Sequence, residues 1–198
     1  MVESFNSDMP QVSYQENQSL VSNFTEEEVL EASSQMEHNK APGPDGFPAE
    51  FYQKFWSVIK IDLMAMFKQL QAGHLPLFKL NFGVITLLPK KEDASRIEQY
   101  RPICLLNVSF NFFTKVGTNR VSSIVHKVIE PTQSAFIPGR NILEGVVILH
   151  ETIHEMKLKK LDGVIFKIDF EKAYDKVNWS FLQQALRMKG LIPNGVSG

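Results

Sequence analysis

The chain has 198 residues, of which 43% are apolar and 22% are charged, as in an ordinary globular protein with one hydrophobic core. No signal peptide is evident and no stretch approaches the ~20 apolar residues of a membrane span, so we expect no membrane partner and a nuclear or cytoplasmic location. The one cysteine, Cys104, excludes an internal disulfide and a thiolate zinc cluster, and its apolar neighbours Ile103 and Leu105 predict a buried thiol.

The charges are segregated along the chain. Residues 1–39 hold eight acidic residues and no Lys or Arg, so residues 40–198 hold 21 basic against 14 acidic residues. Such a basic surplus suits contacts with phosphate groups, although a solvated surface of mixed charge explains it more simply. Charge alone therefore does not assign a nucleic-acid partner.

The amino-terminal part is polar and then becomes helical. Residues 1–22 are rich in Ser, Gln and Asn without a period, which predicts a flexible acidic and polar leader. Thr25 and Glu28 form a capping-box pattern, and apolar spacing continues to about Glu37. A short helix is therefore predicted after Phe24.

A loop and a long helix follow. Residues 41–47 contain two prolines and two glycines, which remove donors and demand turns, so the segment is predicted to be a tight loop. Pro48 suits the first turn of the next helix, and Gly73 is its predicted terminator. Its buried face has a period near 3.6: Phe51, Phe55, Ile59, Leu63, Phe67 and Leu70.

The middle of the chain predicts a hairpin and a helix. Residues 83–89 are an apolar run of strand type, and residues 100–106 are a second one beyond a charged turn at residues 90–95. The next segment, residues 108–129, is helical by pattern and stops before Pro131.

The last third predicts a helix from Asn141 to Lys160, a buried strand over residues 163–170, and a helix from Trp179 to Lys189 ended by Gly190. We expect Trp179 to anchor that last helix. Helices interspersed with a few strands indicate an α+β fold, with helices packed on a small, incomplete sheet. The expected organisation is a leader (1–22), a body (23–190) and a divergent tail (191–198).

An acidic residue, Asp169, ends the predicted strand in the segment Lys167-Ile-Asp-Phe-Glu-Lys-Ala-Tyr-Asp-Lys-Val177. A buried carboxylate without a partner is costly, and divalent-metal sites for phosphoryl transfer are often built at the carboxyl end of a strand. A solvated strand end or a helix cap is an equally good explanation from this segment alone.

Five segments in one order resemble the reverse transcriptase domain of non-long-terminal-repeat (LINE-type) retrotransposons, especially those of plants. They are Asn39-Lys-Ala-Pro-Gly-Pro-Asp-Gly-Phe47, Leu88-Pro-Lys90, Tyr100-Arg-Pro-Ile103 with Leu105-Leu-Asn107, Gln133-Ser-Ala-Phe-Ile-Pro-Gly-Arg140, and Asp169-Phe-Glu-Lys-Ala-Tyr-Asp175. Five such strings in order are very improbable by chance. The resemblance implies the fingers and the first part of the palm of a right-hand polymerase, with an RNA template, a DNA primer and deoxynucleotides as partners.

The resemblance implies a role for three residues of the last segment. Asp169 would be the first catalytic aspartate and would ligate two Mg²⁺ ions, and the backbone carbonyl of Phe170 would complete one metal site. Tyr174 would be a steric gate that leaves little room for a ribose 2′-hydroxyl.

It also implies roles for basic residues upstream. Arg101 would grip the triphosphate of the incoming nucleotide, with Lys90 or Lys91 as a second cation. Arg140 would contact the template backbone, or would instead bond carbonyl groups of its own loop.

Two strings of the family, a Q-G-D-P segment and an [FY]-A-D-D hairpin, do not occur in the sequence. Because one aspartate cannot hold two ions, we expect a chain truncated before the second catalytic motif and inactive by itself. A non-catalytic nucleic-acid-binding fragment and a decayed transposon remnant therefore remain open. A group II intron maturase is a further alternative, but the first and fourth strings look more like the LINE type.

A zinc-protease pattern in the sequence suggests an alternative functional hypothesis. His150-Glu-Thr-Ile-His154 fits H-E-x-x-H on a predicted helix, so His150, Glu151 and His154 would form a zinc site. A third ligand is also needed, and the nearest candidate is Glu171. Because the same helix carries Ile142, Val146, Leu149 and Ile153 at core spacing, ordinary histidines are the preferred explanation.

Overall fold

The computed structural model describes residues 11–166, 168 and 176–191. The described residues form helices and one pair of strands, with a 3₁₀ turn at Ile97–Gln99. In chain order they are α1 (Tyr14–Val21), α2 (Glu26–Ser34), α3 (Ala49–Lys54), α4 (Trp56–Gln71), α5 (Leu77–Leu80), β1 (Gly83–Pro89), β2 (Tyr100–Leu106), α6 (Val108–Ser122), α7 (Val125–Val128), α8 (Ile142–Leu158) and α9 (Trp179–Met188). This mixture confirms the predicted α+β class.

The chain divides into two compact units. The central unit is Ser22–Arg120, and the terminal unit combines Met1–Val21 with Val121–Gly198. The predicted division into leader, body and tail stays a prediction. Helix α1, however, lies in the segment for which the sequence pattern predicts no regular structure.

The core of the central unit is built by α2, α3, α4 and α6. Phe67 of α4 is fully buried, with its ring centroid 4.6 Å from that of Phe113 and 5.0 Å from that of Phe24. Tilted rings at these distances pack well. The buried members of the core are Val29, Ala32, Ala49, Leu63, Phe67, Val108, Phe112, Phe113 and Val116.

The predicted start of α2 is confirmed in detail. Thr25 is its N-cap and accepts a hydrogen bond from the backbone N–H of Glu28, whose carboxylate accepts one from the backbone N–H of Thr25. This reciprocal pair satisfies two helix-end donors.

The prediction of one helix from Pro48 to Gly73 is wrong at Phe55. There the backbone (φ −102°, ψ 21°) separates α3 from α4. The ring centroids of Phe51 and Phe55 remain 5.0 Å apart, so the aromatic face continues across the break although Phe55 is partly exposed. Gly73, with φ +72°, ends the second helix as predicted.

The hairpin is confirmed. Strands β1 and β2 are antiparallel, with Gly83 opposite Leu106 at one end and Pro89 opposite Tyr100 at the other. The buried thiol predicted for Cys104 is wrong, because this residue lies in a two-stranded sheet and is exposed. A two-stranded sheet has few neighbours to cover its side chains.

The helix predicted over residues 108–129 is also divided. Helix α6 ends at Ser122, and α7 is a single turn capped by Ile124, which is buried in the terminal unit. Side-chain periodicity does not register such a one-turn interruption.

Helix α8 begins as predicted, since the side chain of Asn141 accepts a hydrogen bond from the backbone N–H of Leu143. The expected burial of its apolar face is wrong, because Ile142, Val146 and Leu149 are all exposed.

The buried strand predicted over residues 163–170 is not seen in its described part. Residues 161–166 have no regular structure, and Val164 and Phe166 are more than three-quarters exposed. A strand needs a hydrogen-bonded neighbour, and within the described residues the β1–β2 pair is the only sheet. Asp169 and Phe170 fall outside the described residues.

Helix α9 has the predicted ends. The side chain of Asn178 accepts from the backbone N–H of Phe181, and Gly190 has φ +82°. Trp179 does not anchor the helix by burial, as it is 69% exposed. No helix in the described part of the chain is long and apolar enough to cross a membrane.

Candidate nucleotide and nucleic-acid interface

The β1–β2 hairpin and its turn carry the three basic residues predicted to bind a nucleotide, Lys90, Lys91 and Arg101. Arg101 lies opposite Leu88 in the antiparallel register, near the turn that joins the strands. Lys90 follows β1, and its backbone N–H donates a hydrogen bond to the carbonyl of Gln99 at 2.8 Å. Because side chains alternate between faces along a strand, Lys90 and Arg101 belong to one face and Lys91 to the other.

The three cations differ in their surroundings. All are exposed. The Lys90 ammonium donates a hydrogen bond to the carbonyl of Glu98 at 2.8 Å, whereas the Arg101 guanidinium makes no hydrogen bond or ion pair to a described residue. The Lys91 ammonium likewise has no such bond to a described residue, but the Arg101 guanidinium offers five donors in a planar fork and can therefore make more hydrogen bonds to an anion.

A second motif segment is docked at the far end of this hairpin. The loop of residues 41–47, here called the glycine loop, lies against Asn107, whose side-chain oxygen accepts a hydrogen bond from the backbone N–H of Asp45 at 3.1 Å. A Cβ atom at Gly43 would lie 2.4 Å from the backbone nitrogen of Asn107. Glycine is therefore required at this close approach.

The glycine loop is also held from within. The Asp45 carboxylate accepts a hydrogen bond from the backbone N–H of Phe47 at 3.0 Å, and the N–H of Gly46 donates to the carbonyl of Gly43. Burial raises the pKa of Tyr52, the negative charge of Asp45 adds to the rise, and a hydrogen bond with Ser109 opposes it. The Asp45 charge is thus felt at the helix that follows the loop.

Asn107 and Gly43 are positioning residues that sequence reasoning did not single out. Both occur in the strings that carry the family resemblance, Gly43 in the first and Asn107 in the third. The motif strings were the sequence signal that could have pointed to these two residues, but only the structure shows that Gly43 and Asn107 lie in contact.

Arg140 lies in the terminal unit and is occupied by its own loop. Its guanidinium donates hydrogen bonds to the carbonyls of Glu130 and Gln133, both at 2.6 Å, and of Ile129 at 3.2 Å. This is the loop-bonding alternative that the sequence left open, and a template contact by Arg140 stays a prediction. In the same loop Phe136 is fully exposed with φ +63°, a strained conformation for an aromatic residue.

The catalytic part of the predicted site lies outside the described residues. Asp169, Phe170 and Tyr174 all belong to residues 169–175, so their predicted roles remain predictions. Among the residues that are described, no three His, Cys, Asp or Glu side chains gather as a metal-binding group.

The zinc-protease reading gains no support from the described structure. His150, Glu151 and His154 are exposed on α8. Their candidate third ligand, Glu171, lies outside the described residues, and no described side chain completes a group of three.

Comparison with known proteins agrees with the motif strings. The family model for reverse transcriptase (RNA-dependent DNA polymerase) matches residues 88–192. The chain is 33% identical over 189 residues to the transposon TX1 uncharacterized 149 kDa protein of Xenopus laevis, covering 95% of the chain and 14% of that protein.

A second relative is the retrovirus-related Pol polyprotein from the type-1 retrotransposable element R2 of Nasonia vitripennis. It is 27% identical over 152 residues, covering 76% of the chain and 14% of the polyprotein. The chain thus spans about one-seventh of the length of these curated relatives, which come from a frog and a wasp. The likeness to plant elements stays a prediction.

The family match covers both the hairpin cations and the Asp169 segment. Reverse transcriptases generally bind an RNA template and nucleotides and use divalent metal ions. With the two retrotransposon relatives, this match confirms the resemblance of the motifs: the chain belongs to the reverse transcriptase family, as a fragment of the non-long-terminal-repeat retrotransposon type.

Proposed function

We propose that this chain supplies the nucleotide-binding fingers and the start of the palm to an enzyme that copies retrotransposon RNA into DNA, in the nucleus or cytoplasm. The family match over residues 88–192 supports this reading. The observation that carries it is the exposed Arg101 guanidinium on the β1–β2 hairpin, available for an anion. The activity, template, primer and deoxynucleotides of the whole enzyme belong to the proposal.

Arg101 is the residue that grips the triphosphate. Its rigid fork of donors matches phosphate oxygens, and it needs no bond to be broken within the described residues before it binds. Lys90 is the second cation in this proposal, because alternation along the strand puts it on the face of Arg101. Lys91 belongs to the opposite face and is the weaker candidate.

The palm residues complete the proposal. Asp169 and the carbonyl of Phe170 would hold Mg²⁺, since hard cations prefer oxygen ligands. When bound, such ions stabilise the charge that develops on a phosphoryl group. Tyr174 would exclude a nucleotide that carries a 2′-hydroxyl, by contact with its ribose.

Deoxynucleotide binding to the chain tests the role of Arg101. We expect Arg101→Ala to weaken the affinity for a deoxynucleoside triphosphate with Mg²⁺ by at least about tenfold, as the loss of charge-assisted hydrogen bonds implies. The matched control is Arg96→Ala, which removes an exposed arginine of the same hairpin turn that pairs with Glu98 at 3.5 Å.

A larger loss of nucleotide affinity in Arg101→Ala than in Arg96→Ala supports the proposal, provided that both variants remain folded by circular dichroism. Equal effects, or no effect of Arg101→Ala, would remove Arg101 from the nucleotide site. A purine and a pyrimidine triphosphate should give similar values, because the predicted contact is with the phosphates.

A second candidate function is nucleic-acid binding without catalysis. The basic surplus of residues 40–198 favours it, because a positive surface attracts phosphate backbones irrespective of sequence. It predicts RNA binding that weakens steeply with salt and that Arg101→Ala weakens no more than Arg96→Ala does.

A further inference from the structure

The amino-terminal segment is hydrogen-bonded to the carboxyl end of the last described helix. The backbone N–H of Val12 donates to the carbonyl of Lys189 at 2.9 Å, and the side-chain amide of Asn17 donates to the carbonyl of Gly190 at 2.7 Å. The side chain of Gln11 reaches the carbonyl of Met188 at 3.4 Å. Partners separated by more than 170 residues in the chain are thereby joined.

These three carbonyls belong to the last residue of α9 and to the two residues that follow it. The last carbonyls of a helix lack intrahelical partners. At the end of α9, Leu191 donates its N–H to the carbonyl of Leu186 and Gly190 donates to that of Arg187, which is the pattern of a Schellman cap. The amino-terminal segment supplies donors to the carbonyls that follow.

Asn17 is the buried centre of this contact. It is only 5% exposed, and its amide also donates to the carbonyl of Ser13 at 3.2 Å. A buried amide is costly unless its donors are used. These bonds therefore hold the side chain in one position.

The approach of the two segments is close. Gly190 has φ +82°, and a Cβ atom there would lie 3.0 Å from the carbonyl oxygen of Val12. In the same helix α1, the Glu16 carboxylate pairs with the Lys127 ammonium of α7. Residue 190 must be glycine both for its backbone conformation and for this approach.

We propose that residues 11–21 are an amino-terminal clasp, a conformational device that ties α9 and α7 to the start of the chain. No described residue of α9 is fully buried, and Phe181 is 65% exposed, so apolar packing alone fixes this helix less firmly than the core fixes the helices of the central unit. The hydrogen bonds of the clasp help to hold α9 in place. Because α9 begins four residues after Asp175, the clasp fixes one flank of the segment that carries Asp169. This last consequence rests on the proposed function, whereas the clasp itself does not.

Hydrogen exchange of the whole chain tests the clasp. Asn17→Asp keeps the shape of the side chain but replaces its donors by a carboxylate facing two carbonyls. We expect the amides of Gly190 and Leu191 to exchange at least about tenfold faster, while the core amides of the central unit keep their protection. The matched control is Gln18→Glu, the same change of group at the exposed neighbouring position.

A second variant, Gly190→Ala, tests the same contact from the side of α9, so that the test does not depend on Asn17→Asp alone. Gly190→Ala should loosen the amides of residues 12–17 from the other side of the contact, even if Asn17→Asp proves too disruptive to purify. Unchanged exchange at residues 186–191 in Asn17→Asp, or at residues 12–17 in Gly190→Ala, would overturn the proposal. No nucleotide or RNA is present, so failure here is distinct from failure of the polymerase function.

Discussion

The central and terminal units keep their helices in place by different means. In the central unit, α2, α4 and α6 share a core in which Phe67 and Phe112 are fully buried. In the terminal unit, no described residue of α8 or α9 is buried, and the clasp holds α9 through polar contacts. A buried large apolar side chain contributes roughly 1.5–3 kcal/mol, against about 1 kcal/mol for a typical hydrogen bond. We therefore expect the central unit to unfold at a higher denaturant concentration than the terminal unit.

The largest effect is expected at the centre of the core. Phe67→Ala removes a fully buried ring that contacts Phe24 and Phe113, which should lower the free energy of unfolding by roughly 3–5 kcal/mol. Urea denaturation measures it. Phe78→Ala is the control, because this ring is 76% exposed and its loss should cost less than about 0.5 kcal/mol. Similar losses for both would mean that the core is not where the structure has it.

The second-largest loss of stability is expected for a polar contact of the central unit. The Arg120 side chain is 9% exposed and donates to the Glu28 carboxylate at 2.8 and 2.9 Å, to the carbonyls of Ser22 and Asn23, and lies 4.2 Å from the Phe24 ring.

Arg120→Met should cost about 2 kcal/mol, because it leaves Glu28 and two carbonyls without these donors. The value is below that of a fully buried pair since the Glu28 side chain is one-third exposed. Urea unfolding of Arg120→Met beside Arg96→Met measures it, and equal stability of the two variants would contradict the assignment.

The clasp should depend on acidity. Hydrogen bonds from Lys127 and Ser13 lower the pKa of Glu16 from 4.5 to about 2. Because the folded pKa is depressed, the stabilisation is present above pH 4.5 and is lost as the pH falls towards 2. In a nuclear magnetic resonance titration of the folded chain, the amide shifts of Val12 and Leu191 should move as the pH approaches 2, where Glu16 becomes protonated. In Glu16→Gln that movement should disappear, and its persistence would show that another group is responsible.

The smallest effect is expected on α8. Ile148 is 60% exposed, so Ile148→Ser should change the free energy of unfolding by less than about 0.5 kcal/mol. Thermal unfolding beside Phe67→Ala makes the contrast direct. A loss of several kcal/mol at Ile148 would reveal a buried face that the described structure does not contain.

Local signals in the sequence predicted much of the fold. The capping box of Thr25 and Glu28, the strand pair joined by a charged turn, and the glycine end of α9 each depend on residues close together in the chain. Such features follow from capping and turn chemistry before any tertiary contact forms.

The wrong predictions concern burial and contacts that depend on residues far apart in the chain. Periodicity predicted buried positions at Trp179 and over residues 163–166, but burial requires a neighbour that a single sequence does not reveal. The contact of Asn17 with Gly190 likewise has no local signal. For the site, the motif strings supplied Arg101 and Lys90, whereas the meeting of Gly43 with Asn107 became visible only in three dimensions.

Primer extension on an RNA template tests the central claim most directly. It uses deoxynucleotides, Mg²⁺ and a form of the chain extended to the length of its curated relatives, and compares Asp169→Ala with Asp162→Ala, an exposed aspartate seven residues earlier. We predict that extension is lost in Asp169→Ala and kept in Asp162→Ala, because Asp169 alone of the two is assigned to the metal site. Extension that persists in Asp169→Ala would contradict the account.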